Sequence, residues 1–189
     1  MNNINSKQKT KTSAYQKAVV NIYSFLSTLL LCMTVIFVFF ACVFRLVSVD
    51  GDSMYPNLNN NDKIIVSDFL YTPDYGDIIA VGRADKEPSS FIKRVVALGG
   101  DEVCIDFETH LITVNGEIIT EDYRVYGALS EKGDFTYPLT VPENCVFVLG
   151  DNRNNSLDSR FSEVGFVEIN EITGKALFRL FPLGSVKID

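Results

Sequence analysis

The sequence is poor in the residues on which many hydrolases and metal sites depend. Its 189 residues include one histidine, His110, and no tryptophan. A single histidine argues against a mixed Cys/His metal cluster. It allows a Ser-His-Asp triad only if His110 itself supplies the base. There is no glycine-rich phosphate loop of the P-loop or dinucleotide-binding type. We therefore expect neither a metal nor a nucleotide cofactor.

Acidic residues are absent from the first quarter of the chain. Residues 1–44 contain four lysines, at positions 7, 9, 11 and 17, and no Asp or Glu. Because the whole chain carries a net charge of −7 and this region contributes +4, the remainder carries −11. An acidic main domain argues against nucleic-acid binding.

A long uncharged run follows the lysines. From Ala18 to Phe44, 22 of the 27 residues are apolar. As a helix this run would reach about 40 Å, more than the roughly 30 Å of a bilayer core. Since the lysines precede it, the N-terminus should face the cytoplasm. We predict a disordered basic cytoplasmic tail at 1–17, a single transmembrane helix at 18–44 and an extracytoplasmic domain at 45–189.

A cleaved signal peptide is the alternative interpretation of this run. The run is longer than the usual h-region, and no clear small-x-small cleavage site follows it.

The rest of the chain reads as short strands separated by turn residues. The pattern predicts strands at 63–66, 77–81, 91–98, 102–106, 110–114, 117–120, 146–149 and 173–181. Asn115-Gly116 is a strong hairpin signal between two of them. The polar residues 121–138 predict a variable loop or an extra ribbon. The expected fold class is mainly β: an antiparallel sheet, closed or folded into a barrel, behind one N-terminal helix.

The first candidate for chemistry is Ser53, in the stretch Gly51-Asp52-Ser53-Met54-Tyr55-Pro56, which six residues separate from the apolar run. A serine hydroxyl becomes a useful nucleophile only when a neighbouring base takes its proton. Pro56 fixes one backbone dihedral and should stiffen the turn. A lone serine in such a stretch is more often an ordinary turn residue.

The second candidate is Lys93, in the apolar stretch Phe91-Ile92-Lys93-Arg94-Val95-Val96. Strand alternation places Lys93 on one face of the strand and Arg94 on the other. On a core face, desolvation would lower the lysine pKa by two to three units from about 10.4. On a solvated face it would be an ordinary surface lysine, and the strand alone favours neither.

The third candidate is the loop at residues 150–160, which is dense in short hydrogen-bonding side chains and in charges of both signs. Such a loop can fold on its own side-chain-to-backbone bonds and orient a nearby lysine. The alternatives are a polar surface loop, or a Ca²⁺ site built from Asp151, Asn155 and Asp158. Arg153 and Arg160 argue against a cation there.

Together the three stretches resemble the bacterial type I signal peptidases, membrane-bound Ser/Lys serine endopeptidases that cleave signal peptides from exported proteins. The matching pieces are Ser53-Met54-Tyr55-Pro56, Lys93-Arg94-Val95 with Gly100-Asp101, Gly150-Asp151-Asn152-Arg153-Asn154-Asn155-Ser156 with Asp158-Ser159-Arg160, and Gly174-Lys175-Ala176. They occur in the family's order and cover the chain from about residue 18. The short segment 121–138 suggests a compact form of the kind found in Gram-positive bacteria.

The resemblance implies that Ser53 is the nucleophile and Lys93 the general base, which then protonates the leaving amine. It implies that Ser156 hydrogen-bonds the lysine amine and that Met54 belongs to the substrate-facing surface beside the bilayer. The remaining supporting residues are Asp158, which holds the loop, Arg160 and Arg94 as its ion partners, and Asp151.

The resemblance also implies the partners. They are preproteins with small residues at −1 and −3 of the cleavage site, membrane lipid and the protein export machinery. Shallow apolar pockets would explain the small residues, because they exclude larger side chains.

The chain departs from the family pattern at a few positions. Gly51 stands where some members have a serine that helps to stabilise the oxyanion, so backbone N–H groups, including that of Ser53, must do so here. Asn57 stands where Thr is frequent and Gly99 where Pro is frequent, and residues 161–165 are spaced differently. These departures bear on loop geometry and substrate preference rather than on the dyad.

Three rival functions were weighed. A self-cleaving repressor also uses Ser and Lys, but the apolar run and the lack of a basic DNA-binding domain argue against it. A membrane-anchored, non-catalytic assembly partner of the pilus type would not need both Ser53 and Lys93. A hydrolase based on His110 is disfavoured because no serine motif lies beside that residue, which we expect to be exposed.

Two cysteines, Cys104 and Cys145, lie outside the apolar run. They could form a disulfide in an extracytoplasmic domain. Two buried thiols are the alternative.

Overall fold

The computed structural model describes residues 2–84, 89–119, 121, 127 and 129–183, with side chains from residue 16 onward. The chain divides into two compact units, Met1–Cys42 and Val43–Asp189.

The first unit is a single helix, α1, at Asn2–Val43. Its apolar part, Gln16–Val43, is 28 residues long, and none of it is buried. At about 1.5 Å per residue it measures about 42 Å, enough to cross a bilayer. The prediction of a disordered tail at 1–17 is wrong for residues 2–17, whose backbone continues the helix. Lysine, glutamine and alanine favour helix, and extending an existing helix is much easier than starting one.

The described residues of the second unit form short strands and a 3-10 helix, at Ile169–Glu171. The strands are β1 Phe44–Ser48, β2 Lys63–Ser67, β3 Ile78–Gly82, β4 Ser90–Leu98, β5 Glu102–Asp106, β6 Leu111–Val114, β7 Glu117–Ile118, β8 Leu139–Thr140, β9 Cys145–Leu149, β10 Val167–Glu168 and β11 Ile172–Phe181.

The strands form two sheets in which every pairing is antiparallel. The larger sheet has the order β1-β2-β11-β3-β4-β9-β10, and the smaller one has the order β7-β6-β5-β8. This confirms the mainly β, antiparallel fold behind one N-terminal helix.

Most of the predicted strands are present, with boundaries that shift by a few residues. The strand β1 is not among the predicted strands, because it begins at the last residue of the apolar run and has the charged Arg45 as its second residue. His110 lies in the turn before β6, with a positive φ of 61°, rather than in the strand. Thr120, the last residue of one predicted strand, lies outside the described residues.

The strand β4 lies at the centre of the large sheet and is covered on both faces. Six consecutive residues, Ile92 to Ala97, are buried. Ile92 packs in a cluster with β2, β3 and the turn after β1, whereas Val95 packs in a second cluster with β9 and β10. Val96 and Ala97 join a third, which lies between the two sheets. Alternation could not place Lys93 because both faces of its strand are interior.

Candidate active site

Ser53 lies in a tight turn that follows β1. Within this turn the N–H of Leu58 donates to Met54 O at 2.9 Å, and the N–H of Tyr55 donates to Asp52 O at 3.1 Å. Gly51 opens the turn with a φ of 79°, a left-handed conformation that glycine adopts without strain. We call residues 52–58 the nucleophile turn, after the role that the resemblance implies for Ser53.

Met54 and Leu58 fix the nucleophile turn to the core. Met54 is 1% exposed and Leu58 is fully buried, in a cluster with strands β2, β3 and β11. The resemblance implied that Met54 belongs to the substrate-facing surface. In the structure Met54 is among the residues that line a cleft beside Ser53, although its apolar neighbours cover most of it.

Lys93 reaches the nucleophile turn from the centre of β4. Its Nζ lies 2.8 Å from Ser53 Oγ and donates to Ile92 O at 3.1 Å. The residue is only 4% exposed. Burial lowers the pKa of Lys93 to about 8 from its ordinary value of 10.5, although the carboxylates of Asp158 and Asp151 oppose the shift. The buried alternative for Lys93 is therefore the correct one.

Arg94 points away from the dyad and makes a buried ion pair. Its Nε and Nη2 each lie 2.8 Å from the carboxylate of Asp151, and its Nη1 donates to Gly76 O. The resemblance implied Arg94 as a partner of Asp158, whereas the structure pairs it with Asp151. Both residues of this pair are fully buried.

Asp158 organises the loop after β9. Its carboxylate accepts hydrogen bonds from the N–H of Gly150 at 3.0 Å and from Arg160 Nε at 2.8 Å. Arg160 also donates to Arg153 O and Glu131 O. Because guanidinium groups already neutralise Asp151 and Asp158, the Ca²⁺ alternative for this loop is wrong.

Ser156 lies close to the dyad but does not bond to it. The residue is 6% exposed, and its Oγ has no hydrogen-bond partner among the described residues. The implied hydrogen bond between Ser156 and the Lys93 amine is therefore not formed in this structure. Ser156 Oγ packs against Gly150 so closely that a Cβ on Gly150 would overlap it and would lie 2.6 Å from Ser53 O.

Two asparagines to which the sequence assigned no role contact this site. Asn152 donates from its N–H to Ser53 O at 3.0 Å and from Nδ2 to Asp52 O at 3.1 Å. Asn57 Nδ2 donates to Asp151 Oδ2 at 2.7 Å. Asn152 lies inside one of the matching pieces and Asn57 directly follows another, but only the fold shows that they join the same two segments.

A cleft of about 260 Å³ opens beside Ser53 and Lys93. The rest of its lining is mostly apolar and comes from β1, β3 and β4, including Val47, Val49, Ala80, Val81, Phe91 and Ile92. A serine hydroxyl, a desolvated amine and an apolar groove therefore meet at one place, which is what a Ser/Lys hydrolase of peptides needs.

The other polar candidates lie apart from this arrangement. His110 is exposed, as predicted, and its Nδ1 lies 3.3 Å from Leu129 O. Cys104 and Cys145 are half-buried thiols rather than a disulfide.

The comparisons with known proteins agree with this geometry. A family model described as signal peptidase, peptidase S26, matches residues 22–181. The chain belongs to the signal peptidase family. Signal peptidase I P of Bacillus subtilis subsp. natto is 32% identical over 177 residues, covering 88% of this chain and 93% of that protein. Signal peptidase I of Bacillus caldolyticus is 40% identical over 156 residues, covering 74% and 81%.

A solved structure is also similar. The crystal structure of a signal peptidase I from Enterococcus faecalis V583 is 33% identical, with a TM-score of 0.44, and covers 56% of this chain and 97% of that one.

Family membership decides between the functions weighed above. The signal peptidase is a membrane-anchored serine endopeptidase that removes signal peptides from exported preproteins. The names of these relatives give no support to a pilus-type assembly partner.

Proposed function

We propose that this signal peptidase cleaves preproteins with Ser53 as the nucleophile and Lys93 as the general base. The observation that carries the proposal is the 2.8 Å contact between Ser53 Oγ and Lys93 Nζ at a buried position. With a pKa of about 8, Lys93 is partly a free amine near neutral pH, and its lone pair can take the serine proton along the same line.

The reaction then runs in two halves. Ser53 Oγ attacks the scissile carbonyl carbon while its proton moves to Lys93 Nζ. The C–N bond breaks, Lys93 returns the proton to the leaving amine, and the signal peptide remains as an ester on Ser53. A water molecule, deprotonated by Lys93, attacks this ester, and the signal peptide leaves as a carboxylate while Ser53 regains its proton.

The oxyanion of each tetrahedral intermediate needs hydrogen-bond donors. The Ser53 N–H has no acceptor among the described residues, so it is available for this role. Gly51 carries no hydroxyl that could help, and backbone N–H groups therefore act here.

The charged residues behind the dyad act on the pKa of Lys93 in two opposing ways. Asp151 and Asp158 both raise the pKa of Lys93. Arg94 and Arg160 pair with these carboxylates and offset part of their field. We therefore assign these four residues to the support of Lys93 rather than to bond making.

The cleft supports a preference for small side chains at −1 and −3. Its lining is mostly apolar, which suits small uncharged side chains such as alanine.

The setting of the substrate supports the proposed topology. The lysines before the apolar helix favour a cytoplasmic N-terminus and a catalytic domain outside the cytoplasm, where preproteins emerge from the export machinery. Membrane lipid is the expected neighbour of the domain, which exposes large apolar side chains including Leu46, Leu70, Phe178 and Phe181.

The test is cleavage of a purified preprotein by the full chain in detergent. We expect Ser53→Ala and Lys93→Ala to be inactive. For the wild type, kcat/KM should rise with pH to a plateau, with a midpoint near 8, because only the free amine accepts the proton. Cleavage by either variant, or a wild-type rate that does not change between pH 6 and pH 9, would overturn the dyad.

A further inference from the structure

Two asparagine side chains, which the mechanism above does not use, join the nucleophile turn to the loop after β9. Asn57 Nδ2 donates to Asp151 Oδ2 at 2.7 Å. Asn152 Nδ2 donates to Asp52 O at 3.1 Å, beside the 3.0 Å bond from its own N–H to Ser53 O. Three hydrogen bonds thus cross between two segments that are almost 100 residues apart in the sequence.

The contact at Asp151 continues to the strand that carries the base. The same carboxylate accepts two hydrogen bonds of 2.8 Å from Arg94, the residue after Lys93. A continuous path therefore runs from the nucleophile turn through Asn57 and Asp151 to the backbone of β4. Asp151 and Arg94 are fully buried and packed, so this path has little freedom to deform.

We propose that Asn57 and Asn152 are positioning residues that set the distance between Ser53 Oγ and Lys93 Nζ. The serine and the lysine stand on different elements, a turn and a strand. The apolar contacts of Met54 and Leu58 hold the turn in the core but are not directional. The amide hydrogen bonds are directional, and they fix the turn relative to β4.

An amide suits position 57 for an electrostatic reason. It donates to Asp151 without adding a charge close to Lys93. A carboxylate there would repel Asp151, and a cation would compete with Arg94 for it. Asn57 stands where threonine is frequent in the family, and a hydroxyl is another neutral donor. We therefore expect threonine to replace most of the function of Asn57. Valine, which has the shape of threonine but no hydroxyl, should not replace it.

The experiment compares Asn57→Thr with Asn57→Val, which differ only by a hydroxyl in place of a methyl group. Asn152→Ala tests the hydrogen bond from the Asn152 side chain to Asp52 O. Asn59→Ala is the matched control, because Asn59 is an exposed asparagine just past the same turn. For each full-length variant, kcat and KM are measured on a purified preprotein in detergent across pH, together with the thermal unfolding midpoint.

We expect Asn57→Val and Asn152→Ala to lower kcat by about tenfold or more, since small displacements of reacting groups slow the chemical step strongly. KM should stay within about twofold, because the cleft is intact. Asn57→Thr should recover most of the loss, and Asn59→Ala should match the wild type. The pH midpoint should stay near 8, since the charges of Asp151 and Asp158 are retained.

Equal kcat values for Asn57→Thr and Asn57→Val would overturn the inference, as would a wild-type kcat in Asn152→Ala. A loss of activity that only follows the loss of folded protein would also contradict it, because it would indicate a purely structural role. The inference rests on the proposed dyad. If Ser53→Ala were active, the dyad itself would fail; if Ser53→Ala were inactive but the asparagine variants had full activity, only this inference would fail.

Discussion

Lys93, the base of the proposed dyad, is buried, and its burial lowers the stability of the fold. Because burial holds the pKa of Lys93 at about 8 instead of 10.5, the folded chain loses this proton more readily than the unfolded chain does. Below pH 8 both states hold the proton, and the fold bears the full penalty of a buried ammonium. Between about pH 8 and pH 10.5 only the unfolded chain holds it, so the penalty decreases as pH rises.

We therefore expect Lys93→Met to change the pH dependence of stability. The free energy of unfolding of the wild type should rise relative to that of the variant by roughly 3 kcal/mol as the pH rises from about 8 to above 10. The comparison is made by urea unfolding of both proteins in the same detergent at several pH values. Parallel curves for the two proteins would show that Lys93 has an ordinary pKa.

At this scale the sequence singled out the two residues of the proposed dyad, which the structure brings together, but not all of their contacts. Ser53 and Lys93 followed from short motifs, since the chemistry demands those residue types. Arg94 pairs with Asp151, and the Ser156 hydroxyl has no hydrogen-bond partner in the described part of the chain. Both outcomes depend on how three separate segments approach one another. Residue type alone carries no such information.

At the scale of elements, the polar segment 121–138 does more than connect strands. Its described residues fasten the loop that carries Ser156, Asp158 and Arg160. Ser130 donates from its N–H and its hydroxyl to Asn154 Oδ1, and Asp134 Oδ2 accepts two bonds of 2.7 Å from Ser162. Turn-rich composition predicted only a loop, because composition does not show what a loop binds.

Gly133 lies against Arg160, in the loop at residues 150–160. It has a φ of 70°, and a Cβ there would overlap the carbonyl of Arg160. We expect Gly133→Ala to destabilise the fold by about 3 kcal/mol or more, since it combines backbone strain with a steric overlap. Cleavage activity should fall with it, because Arg160 holds Asp158.

The matched control is Gly116→Ala. Gly116 has a similar φ of 81° but no atom within 4 Å of its added Cβ. Its replacement by alanine should lower the free energy of unfolding by only about 1 kcal/mol, because backbone strain is the only cost there. Unfolding of both variants by urea gives the comparison. Similar decreases in the free energy of unfolding at the two positions would mean that the overlap with Arg160 adds nothing to the backbone strain.

At the scale of the whole molecule, both the N-terminal helix and the β domain expose apolar side chains. Helix α1 is apolar enough to be inserted, and the β domain exposes apolar side chains on neighbouring strands of its large sheet. Leu46 on β1 and Phe178 on β11 both pair in register with Ile65 on β2, so they flank it on either side. Composition showed the helix clearly, but the exposed face of the sheet emerged only from strand pairing, because a β pattern does not reveal which side is covered.

The exposed face can be tested because the chain contains no tryptophan, so one introduced residue reports its own surroundings. Leu70 is 89% exposed at the turn after β2 and Phe181 is 69% exposed at the end of β11, and both are expected at the lipid surface. In vesicles that contain brominated lipid, we expect the tryptophan fluorescence of Leu70→Trp and Phe181→Trp to be quenched and blue-shifted.

Ile118→Trp is the control, since Ile118 is 60% exposed on the smaller sheet, at β7. Apolar side chains gain free energy by leaving water for the acyl boundary, so quenching should follow contact with lipid rather than exposure alone. Equal quenching at all three positions, or none at Leu70 and Phe181, would show that this face of the domain does not rest on the bilayer.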